Sequence, residues 1–320
     1  MSLKSRVFSV ANYFLFTPIA ILKGRRICTN RFSDTSMLYV LAFQGLGDSL
    51  VTLGYLQEYA KKNGFQKAMI FCTENYGEFY SFYDFDFTEK RVVSPRLFKA
   101  LKRFFSTASG LSYLLAHKNI LFADTAVYLG GGWKSTFKMG EISVFSYIKK
   151  AIMELDDEAK VTLPKIPESP LSEIFEHQDF SARKIAVLNT HSNTIQLTSP
   201  SRLFDEIAIT LKNKGYFIIT DLGRNTDTET VGGAQAFSGT LAQSFTLCKN
   251  ASLIVGVRSG YLDLMTLTGT PIFAIYPDDN ETFMNAFDLN SLNKISGRTS
   301  NKMIFQCRAK NALAELKKIS

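Results

Sequence analysis

The sequence predicts an α/β protein of two doubly wound domains facing across a cleft. Short apolar runs alternate with helical patterns from Met37 onward and again from Lys184 onward. A proline-rich stretch (Pro164, Pro167, Pro170) separates the two series. Two strand-to-helix turns are built around glycine, at Gly45-Leu46-Gly47-Asp48 and at Arg258-Ser259-Gly260. Strands alternating with helices imply parallel sheets, and 320 residues suffice for two separate cores.

The first element is the least ordinary. Val7 to Leu22 is mostly apolar, with Lys4 and Arg6 before it and Lys23, Arg25 and Arg26 after it. Asn12, Thr17 and Pro18 interrupt the run, which falls short of the roughly 20 residues a spanning helix needs. No small-residue cleavage site follows, so a secretory signal is not expected. Two readings stay open for residues 1–30: a basic-flanked helix lying on an anionic membrane surface, or a helix packed on the following domain.

Residues 31–165 form the predicted first domain. Met37 to Phe43 reads as a strand, Gln44 to Asp48 as a turn, and Ser49 to Lys62 as a helix ended by Gly64, with Leu50, Leu53, Leu56 and Ala60 on one face. Ala68 to Cys72 is the next strand. The aromatic segment from Tyr76 to Phe87 is read as a packed surface hairpin, with a carbohydrate-stacking or membrane-facing loop as the alternative. Ile120 to Leu129 reads as a strand running into Gly130-Gly131-Gly132, where three glycines imply close backbone approach by a ligand or a crossing segment. Phe145 to Leu155 looks helical, and Val161 to Pro170 is the expected connection.

Residues 166–305 form the predicted second domain, followed by a C-terminal helix within 306–320. Strands are expected at Lys184–Leu188, Tyr216–Thr220, Ala234–Phe237, Ser252–Val257 and Ile272–Ile275. Helices are expected from a Ser201 cap to Asn213, over Thr240–Lys249, over Tyr261–Thr268 and over Asn311–Lys318, with Gly215 and Gly269 as terminators. Two Rossmann-like domains are the economical architecture for this order.

Composition narrows the function classes. A 46% hydrophobic fraction excludes a disordered chain. The net charge of +8 suggests an anionic partner, but the basic residues are dispersed and no nucleic-acid-binding signature accompanies them, so no nucleic acid is expected. Cys28, Cys72, Cys248 and Cys307 lie far apart and read as reduced thiols of a cytoplasmic protein. His117, His177 and His191 are isolated, so no metal site is drawn. Asp84-Phe85-Asp86 has the spacing of a metal-binding carboxylate pair, but within an aromatic segment it reads as a solvated pair.

The turn after Val257 carries the most chemistry. A strand that ends in Arg258-Ser259-Gly260 and opens a helix at Tyr261 puts free backbone N–H groups at a sheet's carboxyl edge, where phosphates bind. An arginine there suits a diphosphate. The same residues also describe a helix capped by Ser259, with Asp263 in its first turn and a solvated arginine.

These pieces resemble the nucleotide-sugar domain of GT-B glycosyltransferases, most closely the lipopolysaccharide heptosyltransferase family. The resemblance rests on Ile185 to Leu203, Phe217 to Gly223, Phe237-Ser238-Gly239-Thr240-Leu241, Ala251 to Pro271 and Ala274-Ile275-Tyr276-Pro277, in that order. In the first half, Gly45 to Leu53 resembles the family's Gly-Asp turn. The departures are specific. Arg258 stands where the family carries an acid, Asp263 where it carries a histidine, and Gly54 where it carries a proline. The lysine usual before Pro200 is absent. An adenosine-diphosphate heptose donor is therefore not implied, and the chain resembles a divergent branch.

The resemblance implies an inverting, metal-independent glycosyltransferase that uses no cofactor beyond its nucleotide-sugar donor. Its acceptor would be a lipid-linked or cell-surface polysaccharide of the lipopolysaccharide or capsule type, reached in the cytoplasm or on the inner face of the membrane. Asp48 is the implied catalytic base, at a helix start that favours its ionised form; helix capping is the other reading. Arg258, Ser259, Gly260 and Tyr261 would hold the donor diphosphate. Thr190, His191, Asn193, Arg224, Asp278 and Asp279 are the candidate nucleotide and sugar contacts. Gly45, Leu46, Gly47, Gly130, Gly131 and Gly132 would line the acceptor side. A nucleotide-sugar epimerase, a pyruvyl transferase and a catalytically silent binding relative share the scaffold and remain alternatives.

Overall fold

In a computed structural model, the structure describes residues 18, 21–42, 45–129, 143–170, 183–192, 197, 200–223, 230–278, 281–291 and 304–319. The chain divides into two compact units, Met1–Lys138 with Tyr147–Thr162, and Met139–Ser146 with Leu163–Ser320. Each is an α/β unit built on one parallel sheet, as the alternating pattern predicts. No helix among the described residues is long and apolar enough to cross a membrane.

The first unit holds β1 (Met37–Leu41), β2 (Lys67–Cys72), β3 (Thr88–Val92) and β4 (Ile120–Phe122) in the order β3-β2-β1-β4. Tyr39 of β1 sits in register with Met69 of β2 on one side and Ile120 of β4 on the other. Leu41, Phe71, Phe98, Leu101, Phe104, Phe105 and Phe122 form the core on one face of the sheet. A helix over 21–31 is packed on this core through Cys28 and Phe32. Gly24 makes that docking possible, because a Cβ there would stand 2.2 Å from Phe104 Cβ. Residues 1–17, 19 and 20 lie outside the described residues.

Several first-unit expectations need correction. The predicted Ser49–Lys62 helix is two helices, Leu46–Gly54 and Leu56–Lys62, separated at the buried Tyr55. Gly54 lets the connecting segment lie against this break: a Cβ would meet Val161 Cγ2 at 2.9 Å, and the Thr162 amide donates to Gly54 O at 2.7 Å. The aromatic segment is neither a hairpin nor an exposed loop. It forms a 3-10 turn at Glu74–Tyr76 and a helix over Gly77–Ser81, and Phe79, Tyr80, Phe82, Tyr83 and Phe85 are buried. Phe79 and Tyr80 lie on this helix, and Phe82, Tyr83 and Phe85 follow it in the irregular segment that leads to β3. The strand predicted to reach Leu129 stops at Phe122, and Thr125–Leu129 is helical. β3 and the helix Pro95–Phe105 were not foreseen; β3 is a charged edge strand (Glu89, Lys90, Arg91) without the apolar run that marks buried strands.

The second unit holds β5 (Lys184–Asn189), β6 (Tyr216–Asp221), β7 (Gln235–Phe237), β8 (Leu253–Val257), β9 (Ile272–Tyr276) and β10 (Ile304–Arg308). All are parallel, in the order β10-β9-β8-β5-β6-β7. Numbered within the unit, this is the 3-2-1-4-5-6 order of a doubly wound dinucleotide-type sheet. Phe204, Ile207, Ala208 and Leu211 of the helix Pro200–Asn213 cover one face together with Ala312 and Leu316 of the helix Ala312–Lys318. Ser201 lies inside the first of these helices rather than capping it, because Pro200 already occupies its first position. The helix Leu241–Lys249 is fixed by a capping box: the Gln243 amide donates to Thr240 Oγ1 and the Thr240 amide to Gln243 Oε1. Gly215 and Gly269 end their helices at φ 83° and 80°. The Ser169 amide donates to Thr246 Oγ1, which ties the far end of the connecting segment to this unit.

Replacing Gly24 by leucine should push the helix over 21–31 off Phe104. The expected loss is about 3 kcal/mol of first-unit stability, the upper end of overpacking costs, measured by urea unfolding.

Candidate functional site

In a parallel sheet every strand ends at the same edge, and ligands bind where neighbouring crossovers leave in opposite directions. In the first unit that point lies between the carboxyl ends of β1 and β4. Gly45 takes φ 78°, a left-handed conformation favoured by glycine. The chain then turns directly into the helix Leu46–Gly54, with Asp48 in its first turn. Asp48 Oδ2 accepts a hydrogen bond from the Thr125 amide at 3.0 Å. Thr125 opens the short helix after β4, so the carboxylate joins two helix starts across the switch point. Thr125 Oγ1 is buried and has no hydrogen-bond partner among the described residues.

The buried tyrosines set this turn from behind. Tyr80 donates to Ala42 O at 2.6 Å and lies 3.1 Å from Ser49 Oγ, joining the end of β1 to the residue beside Asp48. Tyr83 donates to Leu50 O at 3.2 Å. The aromatic segment is thus the scaffold of the Gly-Asp turn. Its role was hidden in the sequence because the contacts span more than thirty residues. Gly45 is exposed, Leu46 half-buried and Gly47 buried in the same turn, whereas Gly130, Gly131 and Gly132 lie outside the described residues.

In the second unit the switch point lies between β5 and β8. β5 ends at Asn189 and leads into half-buried Thr190 and exposed His191; β8 leads into Arg258 and Ser259. Gly256 allows the two strands to approach here, since a Cβ would meet Asn189 O at 3.1 Å and Leu262 Cδ2 at 3.2 Å. Asn189 Oδ1 and Ser259 Oγ are buried and have no hydrogen-bond partner among the described residues. Ser259 occupies the N-cap position of the helix Gly260–Met265 but makes no side-chain cap bond. Asn189 was not singled out in the sequence, where it reads as the last residue of a strand.

Arg258 is not a solvated arginine at a phosphate edge. It is 2% exposed, and its Nη2 lies 2.7 Å from Asp263 Oδ1. Nη1 donates to Asp263 Oδ2 at 3.2 Å and to Ser259 O at 2.7 Å, and Nε donates to Phe287 O at 2.8 Å. The guanidinium carbon sits 5.9 Å from the Phe145 ring centre and 5.7 Å from that of Phe287. The Tyr276 hydroxyl lies 2.9 Å from Phe287 O and 2.6 Å from Gln306 Oε1, so the network extends to β10. Burial pushes the Asp263 carboxyl up against the pull of Arg258; burial also presses on Arg258, and the Asp263 charge beside it keeps the guanidinium protonated. Two of the four positions at which the sequence departs from the family it resembles are therefore each other's partners.

Tyr261 also faces inward. Its hydroxyl donates to Asp221 Oδ2 at 2.5 Å and lies 3.2 Å from Cys248 Sγ. Asp221 Oδ1 accepts from the Gly223 amide at 2.8 Å. Burial raises the Asp221 carboxyl from its ordinary value despite these donors. What remains of the predicted diphosphate cradle at the edge is backbone: the amides around Ser259, Gly260 and Tyr261, with Ser259 Oγ. Asp278 is exposed and accepts from the Lys310 amide at 2.8 Å. Asn193, Arg224 and Asp279 lie outside the described residues. Among the described residues, no group of three His, Cys, Asp or Glu could hold a metal ion.

No family model and no curated protein matches the chain. Among solved structures, the glycosyl transferase family 9 protein from Veillonella parvula DSM 2008 is 13% identical, covering 90% of this chain and 94% of its own, with a TM-score of 0.54. The ADP-heptose lipopolysaccharide heptosyltransferase II of E. coli is 12% identical over 88% of this chain and 97% of its own, with a TM-score of 0.49. TibC, an iron-containing dodecameric glycosyltransferase from enterotoxigenic E. coli H10407, is 14% identical over 74% of this chain at a TM-score of 0.47, and the chain spans only 57% of its length. At such identities the likeness is one of fold, and the fold is GT-B-like: two Rossmann-like units in one chain.

Removing one partner of a buried ion pair leaves the other charge stranded. Arg258→Ala is therefore expected to destabilise the second unit by about 3–5 kcal/mol, and Arg258→Met with Asp263→Leu to recover most of that loss. Chemical unfolding of the three proteins measures both.

Proposed function

We propose that the protein is an inverting GT-B-type glycosyltransferase. It would move a sugar from a nucleotide-sugar donor to a lipid-linked or cell-surface polysaccharide acceptor, without a bound metal. The second unit would take the donor and the first the acceptor. The observation that carries the reading is the doubly wound strand order of the second unit, with Asn189 Oδ1 and Ser259 Oγ unpartnered at its switch point.

In this reading the donor diphosphate lies against the Ser259, Gly260 and Tyr261 amides and Ser259 Oγ, with Thr190 and His191 beside the nucleotide or sugar. Arg258 acts indirectly: bonded to Ser259 O and Asp263, it fixes the turn that presents those amides. Asp48 removes the proton from an acceptor hydroxyl. The acceptor oxygen attacks the anomeric carbon from the face opposite the diphosphate. The bond from that carbon to the phosphate oxygen breaks, and the departing diphosphate keeps the electron pair. Stabilising the developing negative charge with preorganised N–H groups is the larger contribution, and proton removal by a positioned carboxylate adds to it. The Thr125 amide on Asp48 Oδ2 holds the carboxylate in one orientation.

Titration calorimetry with a panel of nucleotide sugars and nucleoside diphosphates tests the donor site, and absence of binding by all of them would sink the proposal. Slow donor hydrolysis separates a transferase from a silent binder, and unchanged turnover in chelator is expected. Asp48→Asn should retain donor affinity within about two-fold while transfer drops by about 10²–10⁴-fold, the range for a general base. Undiminished transfer would remove Asp48 from the mechanism.

A further inference from the structure

The helix over 21–31 and the helix Pro95–Phe105 contain no aspartate or glutamate, and neither does the helix Ala108–Ala116 beside them. The first two are in contact, since Gly24 lies against the Phe104 side chain. The third joins them through Tyr113, whose ring centre is 6.0 Å from that of Phe104. Cys28, Phe98, Leu101, Phe104, Phe105 and Leu114 turn their side chains into the shared core. The other faces of the first two helices are cationic, and the third is uncharged. Lys23, Arg25, Arg26 and Arg31 are exposed on the first helix. Arg96, Lys99 and Arg103 form an exposed stripe on the second, at the three- and four-residue spacing that keeps one helix face together. Lys102, by contrast, is paired with Asp124 at 2.6 Å.

Two large apolar side chains are exposed on the same group of helices, Leu22 on the first and Leu115 on the third. Leu22 is 71% exposed and Leu115 is 63% exposed. At 100° per residue Leu22 points away from the Gly24–Cys28 seam, on the same side as Arg26. A nucleic acid would satisfy the charge, but its backbone offers the exposed leucines no apolar phase. A membrane satisfies both, because basic groups meet anionic headgroups while the apolar side chains enter the headgroup–acyl boundary. We propose that these three helices of the first unit form a docking surface for a membrane rich in anionic phospholipid. The proposal is independent of the transferase reading, and donor affinity measured on the same variants keeps the two apart.

The test is flotation of the full chain with phosphatidylglycerol-containing vesicles and with pure phosphatidylcholine vesicles. Binding is expected to the former, weakened by salt as surface charge interactions are. Each basic residue near an anionic surface contributes about a five-fold factor in partitioning. The charge reversal Arg26→Glu with Lys99→Glu and Arg103→Glu should therefore lower partitioning by at least about 100-fold. Leu22→Ser with Leu115→Ser should lower it further at high salt, where the apolar contribution persists. All five side chains are exposed, so thermal unfolding and nucleotide-sugar affinity should match the parent protein. Equal binding to both vesicle types, no binding to either, binding only to RNA or DNA, or unchanged partitioning of the charge-reversed chain would each overturn the proposal.

Discussion

Parallel strands impose one constraint on everything that follows. Their hydrogen bonds are shared sideways, so the backbone groups at the strand ends, and those of the helices that begin there, collect along one edge. In the first unit this edge holds Gly45, Asp48 and Thr125; in the second it holds Asn189, Thr190 and Ser259. The residues assigned to chemistry are thus placed by topology before any specific contact is made. Side-chain contacts then select among what topology offers. Tyr80 and Tyr83 fix the Asp48 turn from the core side, and Gly256 leaves room for Asn189 and for Leu262 of the helix after Ser259 against the end of β8.

The buried Arg258–Asp263 pair shows how such an edge can diverge without losing its shape. Two isolated charges at this depth would be strongly unfavourable, but together they neutralise each other, and the arginine also donates to Ser259 O and Phe287 O. The turn is therefore held from beneath by an ion pair. A change at either position alone would strand a charge, so the two departures make physical sense only as a pair. Their joint effect is on turn geometry, which separates the role of the arginine from direct contact with a diphosphate.

Much of this was legible in the sequence. Alternating apolar runs and helical patterns, punctuated by Gly64, Gly215 and Gly269, predict eight strands or strand starts close to their observed positions, together with the parallel sheets, and miss β3 and β10. The failures have physical causes. β3 carries charge because it is an edge strand, so it lacks the signal of burial. Ile120 to Leu129 is apolar throughout, and a strand cannot be told from a buried helix by hydrophobicity alone, so the turn at Asp124 was lost. The candidate site was readable as backbone, through its glycine turns, and unreadable as side chains. Whether Arg258 faces solvent or Asp263 depends on five residues of helix geometry, and the link from Tyr80 to Ser49 crosses thirty-one positions.

The four cysteines have a use apart from the site. All are buried and unpaired, with Cys28 and Cys72 in the first unit and Cys248 and Cys307 in the second. Burial pushes the Cys28 and Cys307 thiols up to about 12, so in the folded state they are protonated as well as hidden. A thiol reagent reaches them only when the surrounding structure opens. The rate at which each cysteine is labelled therefore reads the opening free energy of its own unit, and the chain carries an intrinsic gauge of how independently its two halves unfold.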